Sequence, residues 1–368
     1  MDAVGHPAQS KRVVIIPGEF PAEVRGAALR GERPRSDVVE VERHFPIPLI
    51  EMKEVQHESG LRGMIAKVKA THRSLLRLKD ADAAFITGEE FAIPLALMAR
   101  LFGKNKPRLV VRLENLQQGR THLRSVLFEV FLRQALKRID LVLCRNSANH
   151  QLLLGVYGVP PNNTRLVFDC VDTKFFDPDL DAAHIEGFSL PKQPYIVSAG
   201  LERRDYPTLI EAVRTLGIHV VIGAASPWSM YRLEGESQRN LPPNVTIGAF
   251  DARQMRELYR AAAFVVIPLQ PTLRTCGDST LTEAWAMGKG VVITRTAGLL
   301  DFLRDGVNAL TVGPGDVAAM RSAIRTMIEN PTLCEKLGIA GRAAVLRDHL
   351  FEDYVNAIAA SLAEVADR

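Results

Sequence analysis

The sequence is poor in aromatic residues and has almost no net charge. Phenylalanine, tryptophan and tyrosine make up 6% of its 368 residues, and 46 basic side chains nearly balance 42 acidic ones. A nucleic-acid-binding surface needs a basic excess and aromatic rings that stack on the bases. The composition therefore argues against a nucleic-acid partner.

Cysteine pairs and long apolar runs are also missing. The four cysteines are widely separated and form no CxxC pair, and the nine histidines are scattered, which argues against a disulfide framework and against a metal site. No stretch approaches 18 consecutive apolar residues, and the N-terminus lacks an apolar signal core. These absences predict a cytoplasmic protein. A hydrophobic content of 47% over this length favours two domains.

Short apolar runs alternate with helical segments in both halves of the chain. An acidic, proline-containing break at 176–192 separates the halves. Alternation of this kind predicts parallel sheets covered on both faces, hence an α/β protein of two doubly wound domains with ligands in the cleft between them. Strands are predicted at 11–16, 83–87, 108–113, 141–144, 195–199, 218–222, 245–247, 264–268 and 291–294, and helices at 94–102, 125–137, 208–216, 252–262, 316–329 and 350–364.

The segment at 276–290 carries the clearest chemical signal. Gly277 permits a tight turn, and Asp278, Ser279 or Thr280 can cap a helix whose apolar stripe includes Leu281. The N–H groups of the first helical turn are suited to bind an anion.

Glu283 lies off this apolar stripe. Its carboxylate can accept hydrogen bonds from a vicinal diol such as a nucleotide ribose. Alternatively, Thr280 and Glu283 form a capping box, in which the carboxylate only bonds the backbone.

Four segments resemble the retaining glycosyltransferases of the large GT-B family 4 group. Residues 282–289 resemble the family's Leu-Glu-Ala-Met-Ala-x-Gly-Lys segment, residues 298–308 its Gly-Leu-x-Asp-x-Val-x-Asp-Gly-x-Asn run, and residues 313–316 its Pro-Pro-Gly-Asp. Residues 157–160 with Val171-Asp172 resemble the segment that closes the first domain. The matches cover most of the chain from about residue 140 onward.

The resemblance implies the GT-B fold, two facing Rossmann-like domains with a cleft between them. The expected domains are 1–185 for the acceptor and 186–345 for the nucleotide sugar, with a C-terminal helix in 346–368 that packs back on the first. The implied reaction transfers a sugar from a nucleotide-diphosphate sugar to an acceptor hydroxyl with retention of configuration, without metal or cofactor. The acceptor is a small molecule, a glycan or a lipid-linked molecule. A catalytically silent binding or partner protein and a sugar-nucleotide epimerase are the alternatives.

The resemblance also implies roles for single residues. Glu283 matches the second glutamate of the family's Glu-x7-Glu motif, which holds the donor's ribose. Thr275 stands where the first glutamate, which contacts the transferred sugar, is expected. Asp278 or the backbone around Gly277 is the candidate to replace that contact.

Arg203 and Arg204 follow the strand at 195–199. Arg204 aligns with the family's phosphate-binding lysine, and a guanidinium can grip a diphosphate through paired donors. The alternative is a solvated arginine pair.

Two first-domain residues complete the candidate site. Gly18 stands where the family often has a double-glycine loop, and Glu114 follows the strand at 108–113, where many relatives carry a histidine. Glu114 is a candidate for substrate contact, or a loop residue paired with Arg112 or Arg120.

Residues 60–79 combine apolar with basic side chains at helical spacing. Such a helix either rests on an anionic membrane surface or packs on the core with its basic face in solvent.

Overall fold

The computed structural model describes residues 13–16, 22–45, 78, 81–99, 107–113, 123–224 and 241–368. They divide into two compact units. The first takes the described residues of Met1–Leu29, Arg35–Phe168 and Glu352–Arg368, and the second takes Arg30–Pro34 and those of Asp169–Phe351.

Three predictions concern residues outside the described ranges and stay predictions. They are the turn at Gly18, the carboxylate of Glu114 and, apart from Leu78, the basic segment at 60–79. Within the described part of the chain, no helix is both long enough and apolar enough to cross a membrane.

The first unit contains a five-stranded parallel sheet in the order β1-β2-β3-β4-β5 among the residues described. All residues of β2 and β4 are buried, because helices cover both faces of a parallel sheet. The strands are β1 (Val13–Ile16), β2 (Ala83–Thr87), β3 (Arg108–Leu113), β4 (Leu141–Cys144) and β5 (Thr164–Leu166), and the helices are α1 (Ala22–Leu29), α2 (Asp37–His44), α3 (Glu89–Met98), α4 (Leu123–Leu136) and α5 (Ser147–Gly155).

The described residues of the second unit form a six-stranded parallel sheet in the order β11-β10-β9-β6-β7-β8. Its strands are β6 (Tyr195–Ala199), β7 (His219–Gly223), β8 (Val245–Gly248), β9 (Val265–Ile267), β10 (Val291–Thr294) and β11 (Leu310–Val312). Its helices are α6 (Tyr206–Val213), α7 (Ala252–Ala261), α8 (Asp278–Ala286), α9 (Val317–Glu329) and α10 (Pro331–Asp348).

The direction of winding reverses in the middle of the second sheet. β6 pairs with β7 on one side and with β9 on the other, so the chain builds outward from β6 in one direction and from β9 in the other. Ligands of doubly wound sheets bind at such a switch point, outside the carboxyl ends of the strands. The loops that follow β6 and β9 are therefore the place to look for a site.

The last helix, α11 (Phe351–Asp367), belongs to the first unit from Glu352 onward. Arg112 of β3 donates to the hydroxyl of Tyr354, and Arg165 of β5 donates to the hydroxyl of Ser361.

Candidate functional site

The site is built from two loops at the switch point of the second sheet. The turn after β6 runs through 200–205, and the loop after β9 leads into α8. The backbone joins them: Gln270 N–H donates to the Arg203 carbonyl at 2.9 Å, and Asp205 N–H donates to the Pro268 carbonyl at 3.1 Å. The two loops therefore hold each other in register beside the N-terminus of α8.

Arg204 is anchored at the centre of this assembly. Its Nε donates to the Ala199 carbonyl at 2.7 Å and its Nη1 to the Glu202 carbonyl at 3.0 Å. Its Nη2 donates to the Thr280 hydroxyl in the first turn of α8 at 2.9 Å. A guanidinium carries five N–H groups, so, within the described part of the chain, one on each terminal nitrogen is left to meet an anion.

Gly200 makes room for that guanidinium. Its φ of +93° lies in the left-handed region, and a Cβ added there would lie 2.5 Å from Arg204 Nη2. The hydroxyl of Tyr206 donates to the Gly200 carbonyl and so stabilises the turn after β6. Burial raises the pKa of Tyr206 to about 12, so this hydroxyl is still a donor at neutral pH.

Arg203 has an unusual backbone and an unsatisfied side chain. Its φ of +53° is a conformation that few residues other than glycine adopt. Its Nε is buried, and no hydrogen-bond partner for it exists among the residues described. A buried donor without a partner costs free energy. A bound anion that accepted a hydrogen bond from Arg203 would remove this cost.

The N-terminus of α8 is open to a ligand. Gly277, with φ +85°, occupies the N-cap position, and no side chain caps the helix. The prediction that Asp278, Ser279 or Thr280 caps this helix is therefore wrong, because the left-handed glycine already turns the chain and the helix begins at Asp278.

The residues of the first turn of α8 differ in their exposure to solvent. Ser279 is exposed, whereas Asp278 and Thr280 are buried. Leu281 offers no N–H to a ligand, since its side chain is fully buried and its N–H donates to the Gly277 carbonyl at 2.9 Å. The N–H groups that α8 can offer to an anion thus include those of Ser279 and Thr280.

Glu283 makes no capping box. Its Oε2 accepts a hydrogen bond from the Tyr259 hydroxyl at 3.0 Å, and the Thr280 hydroxyl accepts from Arg204. Removal from water raises the pKa of Glu283 to about 7, while the Tyr259 hydrogen bond and the charge of Arg204 oppose this rise. A carboxylate that titrates near neutrality beside a fixed guanidinium is typical of functional sites.

Thr275 occupies the position eight residues before Glu283. It is buried, and the backbone around it packs on the turn that holds Gly298, where an added Cβ would lie 2.8 Å from Thr275 N. Beside it, Arg274 Nη2 pairs with Glu202 Oε1 at 2.7 Å, which joins the loop before α8 to the turn after β6.

The structure thus brings Arg203, Arg204, the first turn of α8 and Glu283 together in one unit. Sequence reasoning missed Tyr259, the hydrogen-bond partner of Glu283, and Tyr206, which supports Gly200. Tyr259 stands in no recognisable motif.

Comparison with known proteins points to the same region. Residues 196–330, which hold all of these site residues, match the model of a family described as glycosyl transferases group 1. The lipopolysaccharide core biosynthesis glycosyltransferase LpsE of Rhizobium meliloti is 28% identical over a 179-residue alignment, and the match covers 45% of this chain and 50% of that protein. The chain spans about half the length of the curated relatives it matches.

Solved structures resemble the chain over almost its whole length. Sucrose-phosphate synthase from Thermosynechococcus elongatus has a TM-score of 0.73 at 18% identity, covering 96% of this chain and 99% of that one. HepE from Anabaena, in complex with UDP-glucose, has a TM-score of 0.69 at 16% identity, covering 96% and 100%. This likeness confirms the predicted α/β fold of two Rossmann-like domains, the GT-B fold.

Proposed function

We propose that this protein is a glycosyltransferase that takes a sugar from a nucleotide-diphosphate sugar and transfers it to an acceptor hydroxyl with retention of configuration. The observation that carries the proposal is the hydrogen bond between Arg204 and Thr280, which sets a guanidinium against the uncapped N-terminus of α8 at the switch point. Support comes from the match of residues 196–330 to a glycosyltransferase family and from the likeness to HepE, which binds UDP-glucose.

In this proposal the diphosphate lies between Arg204 and the first turn of α8. When the bond between the anomeric carbon and the diphosphate breaks, negative charge grows on the leaving oxygen. The remaining N–H groups of Arg204 and the backbone N–H groups of Ser279 and Thr280 stabilise this charge because they are fixed before the reaction begins. Arg203 adds a second positive charge beside the first.

Glu283 takes the ribose in the same scheme. Its ionised carboxylate accepts hydrogen bonds from the two ribose hydroxyls, which orients the nucleotide along α8. The acceptor hydroxyl attacks the anomeric carbon on the face that the diphosphate leaves, and its proton passes to a diphosphate oxygen. Such a reaction requires neither a metal ion nor a basic side chain.

A thermal-shift screen tests the proposal. The purified protein is heated with UDP-glucose, GDP-mannose or dTDP-glucose, and the melting temperature is compared with that of the protein alone. A ligand that binds only the folded state raises the melting temperature according to its affinity. We expect at least one nucleotide sugar to raise it, and adenosine monophosphate at equal concentration serves as the control. No shift with any nucleotide sugar would contradict the proposal.

Turnover separates an enzyme from a silent binder. The nucleotide sugar that binds is incubated with the protein, and release of the nucleoside diphosphate is measured with and without candidate acceptors. We expect slow release of the nucleoside diphosphate when the sugar is transferred to water, and faster release when the correct acceptor is present. Thr275 favours the alternative of a silent binder, because it replaces the carboxylate expected to contact the sugar; binding without any release would support that alternative.

A further inference from the structure

Tyr259 lies directly behind Glu283. Its side chain is fully buried, its hydroxyl donates to Glu283 Oε2 at 3.0 Å, and its ring packs against Phe176 with the ring centroids 6.2 Å apart. Tyr259 belongs to α7, whereas Glu283 belongs to α8. The hydrogen bond therefore joins two helices at the site.

Helix α7 is held firmly in place. Asp251 and Gln254 close its N-terminus with a complete capping box. Near its C-terminus, Glu257 is buried and pairs with Arg256 at 3.0 Å and with Arg260 at 3.1 Å. Arg260 also donates to the Pro178 carbonyl at 2.6 Å. Tyr259 thus projects from a helix that is fixed at both ends.

The carboxylate of Glu283 depends on this tyrosine. Among the residues that the structure describes, Tyr259 is the one hydrogen-bond donor to it. A carboxylate has two oxygens, and the hydroxyl occupies Oε2. Burial and the neighbouring carboxylate hold the pKa of Tyr259 well above its usual range, so the hydroxyl keeps its proton at neutral pH.

We propose that Tyr259 is a positioning residue for nucleotide binding: its hydroxyl fixes the orientation of the Glu283 carboxylate, favours its ionised form and leaves Oε1 for the ribose hydroxyls. The inference rests on the proposed function, since it assigns the ribose to Glu283. Tyr259 itself touches no substrate.

Few other charged groups interact with this pair. Among the residues described, Arg204 and Tyr206 are the charged and titratable groups, besides Glu283 and Tyr259 themselves, that act on the pair electrostatically. Arginine keeps its charge at any pH that the protein tolerates, and burial raises the pKa of Tyr206 to about 12. Between pH 6 and 9, Glu283 is therefore the member of the group that titrates.

The test is the Tyr259→Phe variant, with Tyr195→Phe as its matched control. Tyr195 is also a buried tyrosine of the second unit, and its hydroxyl donates to the Leu258 carbonyl of the same helix, at 3.1 Å. The probe is whichever of UDP-glucose, GDP-mannose and dTDP-glucose gives the largest thermal shift, because the pyrophosphate of these diesters keeps its charge over the whole range. Affinity is measured by calorimetry from pH 6 to pH 9.

We expect Tyr259→Phe to bind the probe about tenfold more weakly than the native protein at pH 7, because a hydrogen bond to a charged acceptor is lost. The difference in affinity between the variant and the native protein should narrow toward pH 9. The reason is that loss of the hydrogen bond shifts the rise in affinity of the variant about one pH unit higher. Tyr195→Phe should follow the native profile. An unchanged affinity, or a loss that is equal at every pH, would overturn the inference.

A second measurement needs no ligand. The free energy of unfolding in urea is measured at pH 6 and pH 9 for Tyr259→Phe, for Glu283→Gln and for the double variant. We expect Tyr259→Phe to lower the free energy of unfolding more at pH 9, where Glu283 is ionised, than at pH 6. This pH dependence should vanish in the Glu283→Gln background. If the probe binds and this coupling is absent, the inference fails while the proposed function stands; if no nucleotide sugar binds, the proposed function fails first.

Discussion

Glu283 combines a carboxylate that titrates near neutrality with a fixed hydroxyl donor behind it and a guanidinium near it. At the scale of single residues, the proposed nucleotide site depends most on this side chain. Its replacement is therefore the most direct test of where the ribose binds.

We expect Glu283→Ala to weaken binding of the nucleotide sugar by about 10- to 100-fold, since hydrogen bonds to charged groups contribute about 1.5–3 kcal/mol. Isothermal titration calorimetry at pH 8, where the native carboxylate is ionised, measures the change. Far-ultraviolet circular dichroism should show an intact fold.

The control for this variant is Ser279→Ala, a substitution in the same helix at an exposed position. Its backbone N–H remains, so a small change in affinity is expected. If Glu283→Ala binds the nucleotide sugar as tightly as the native protein, Glu283 does not hold the ribose.

Gly200 tests the position of the Arg204 guanidinium. In Gly200→Ala the new methyl group would meet Arg204 Nη2 at 2.5 Å, at a φ of +93°. The end of a long side chain can move aside, so we expect roughly tenfold weaker nucleotide-sugar binding together with a moderate loss of stability. Affinity and melting temperature are both measured.

Gly217→Ala is the matched control, because nothing lies within 4 Å of its added Cβ and its φ is ordinary. It should change neither quantity by much. If Gly200→Ala binds the nucleotide sugar as tightly as the native protein, binding does not depend on the observed position of the Arg204 guanidinium.

At the scale of elements, the position of α8 is set by close packing on α10. Trp285 is fully buried, and its Nε1 donates to the Asn308 carbonyl at 3.0 Å. A Cβ added at Gly341 of α10 would lie 2.1 Å from the Trp285 ring. The glycine thus allows the approach that seats α8.

We expect Gly341→Ala to lower the free energy of unfolding by about 1–3 kcal/mol, the usual cost of overpacking a core. Urea unfolding followed by tryptophan fluorescence measures it. Gly155→Ala is the helical control: its added Cβ has open space, and the exchange of glycine for alanine in a helix is neutral or stabilising. Equal effects of the two substitutions would contradict the packing argument.

Most strands were predicted from the sequence, but β5 and β11 were not. The predicted and observed bounds agree for the strands at 83–87, 108–113, 141–144, 195–199 and 291–294. Short apolar runs between polar segments are typical of buried strands. Helix α10 was not predicted. Its interior contains Gly338 and Gly341, which lower helix propensity but make room for the Gly288 carbonyl and for Trp285.

At the scale of the whole molecule, Glu283 links stability to pH. Its pKa in the folded state, about 7, is raised above the usual value of 4.5. The stability that its protonated form contributes is therefore fully present below about pH 4.5 and is lost as the pH rises through 7.

We expect the native protein to lose stability relative to Glu283→Gln between pH 5.5 and pH 8.5, by on the order of 1–3 kcal/mol. Glutamine cannot titrate, so the comparison removes the contributions of all other groups. Melting temperatures at the two pH values measure the effect. A constant difference between native protein and variant would show that Glu283 titrates in its usual range.

The sequence alone determined the two α/β halves, the turn after β6 with its arginines, and the helix that carries Glu283 off its apolar stripe. These follow from local rules, since strands, turns and helices depend on residues close together in the chain. Only the tertiary structure decided that Arg204 bonds Thr280 and that Tyr259 bonds Glu283. The partners are 76 and 24 residues apart, and only the winding of the sheet brings them together.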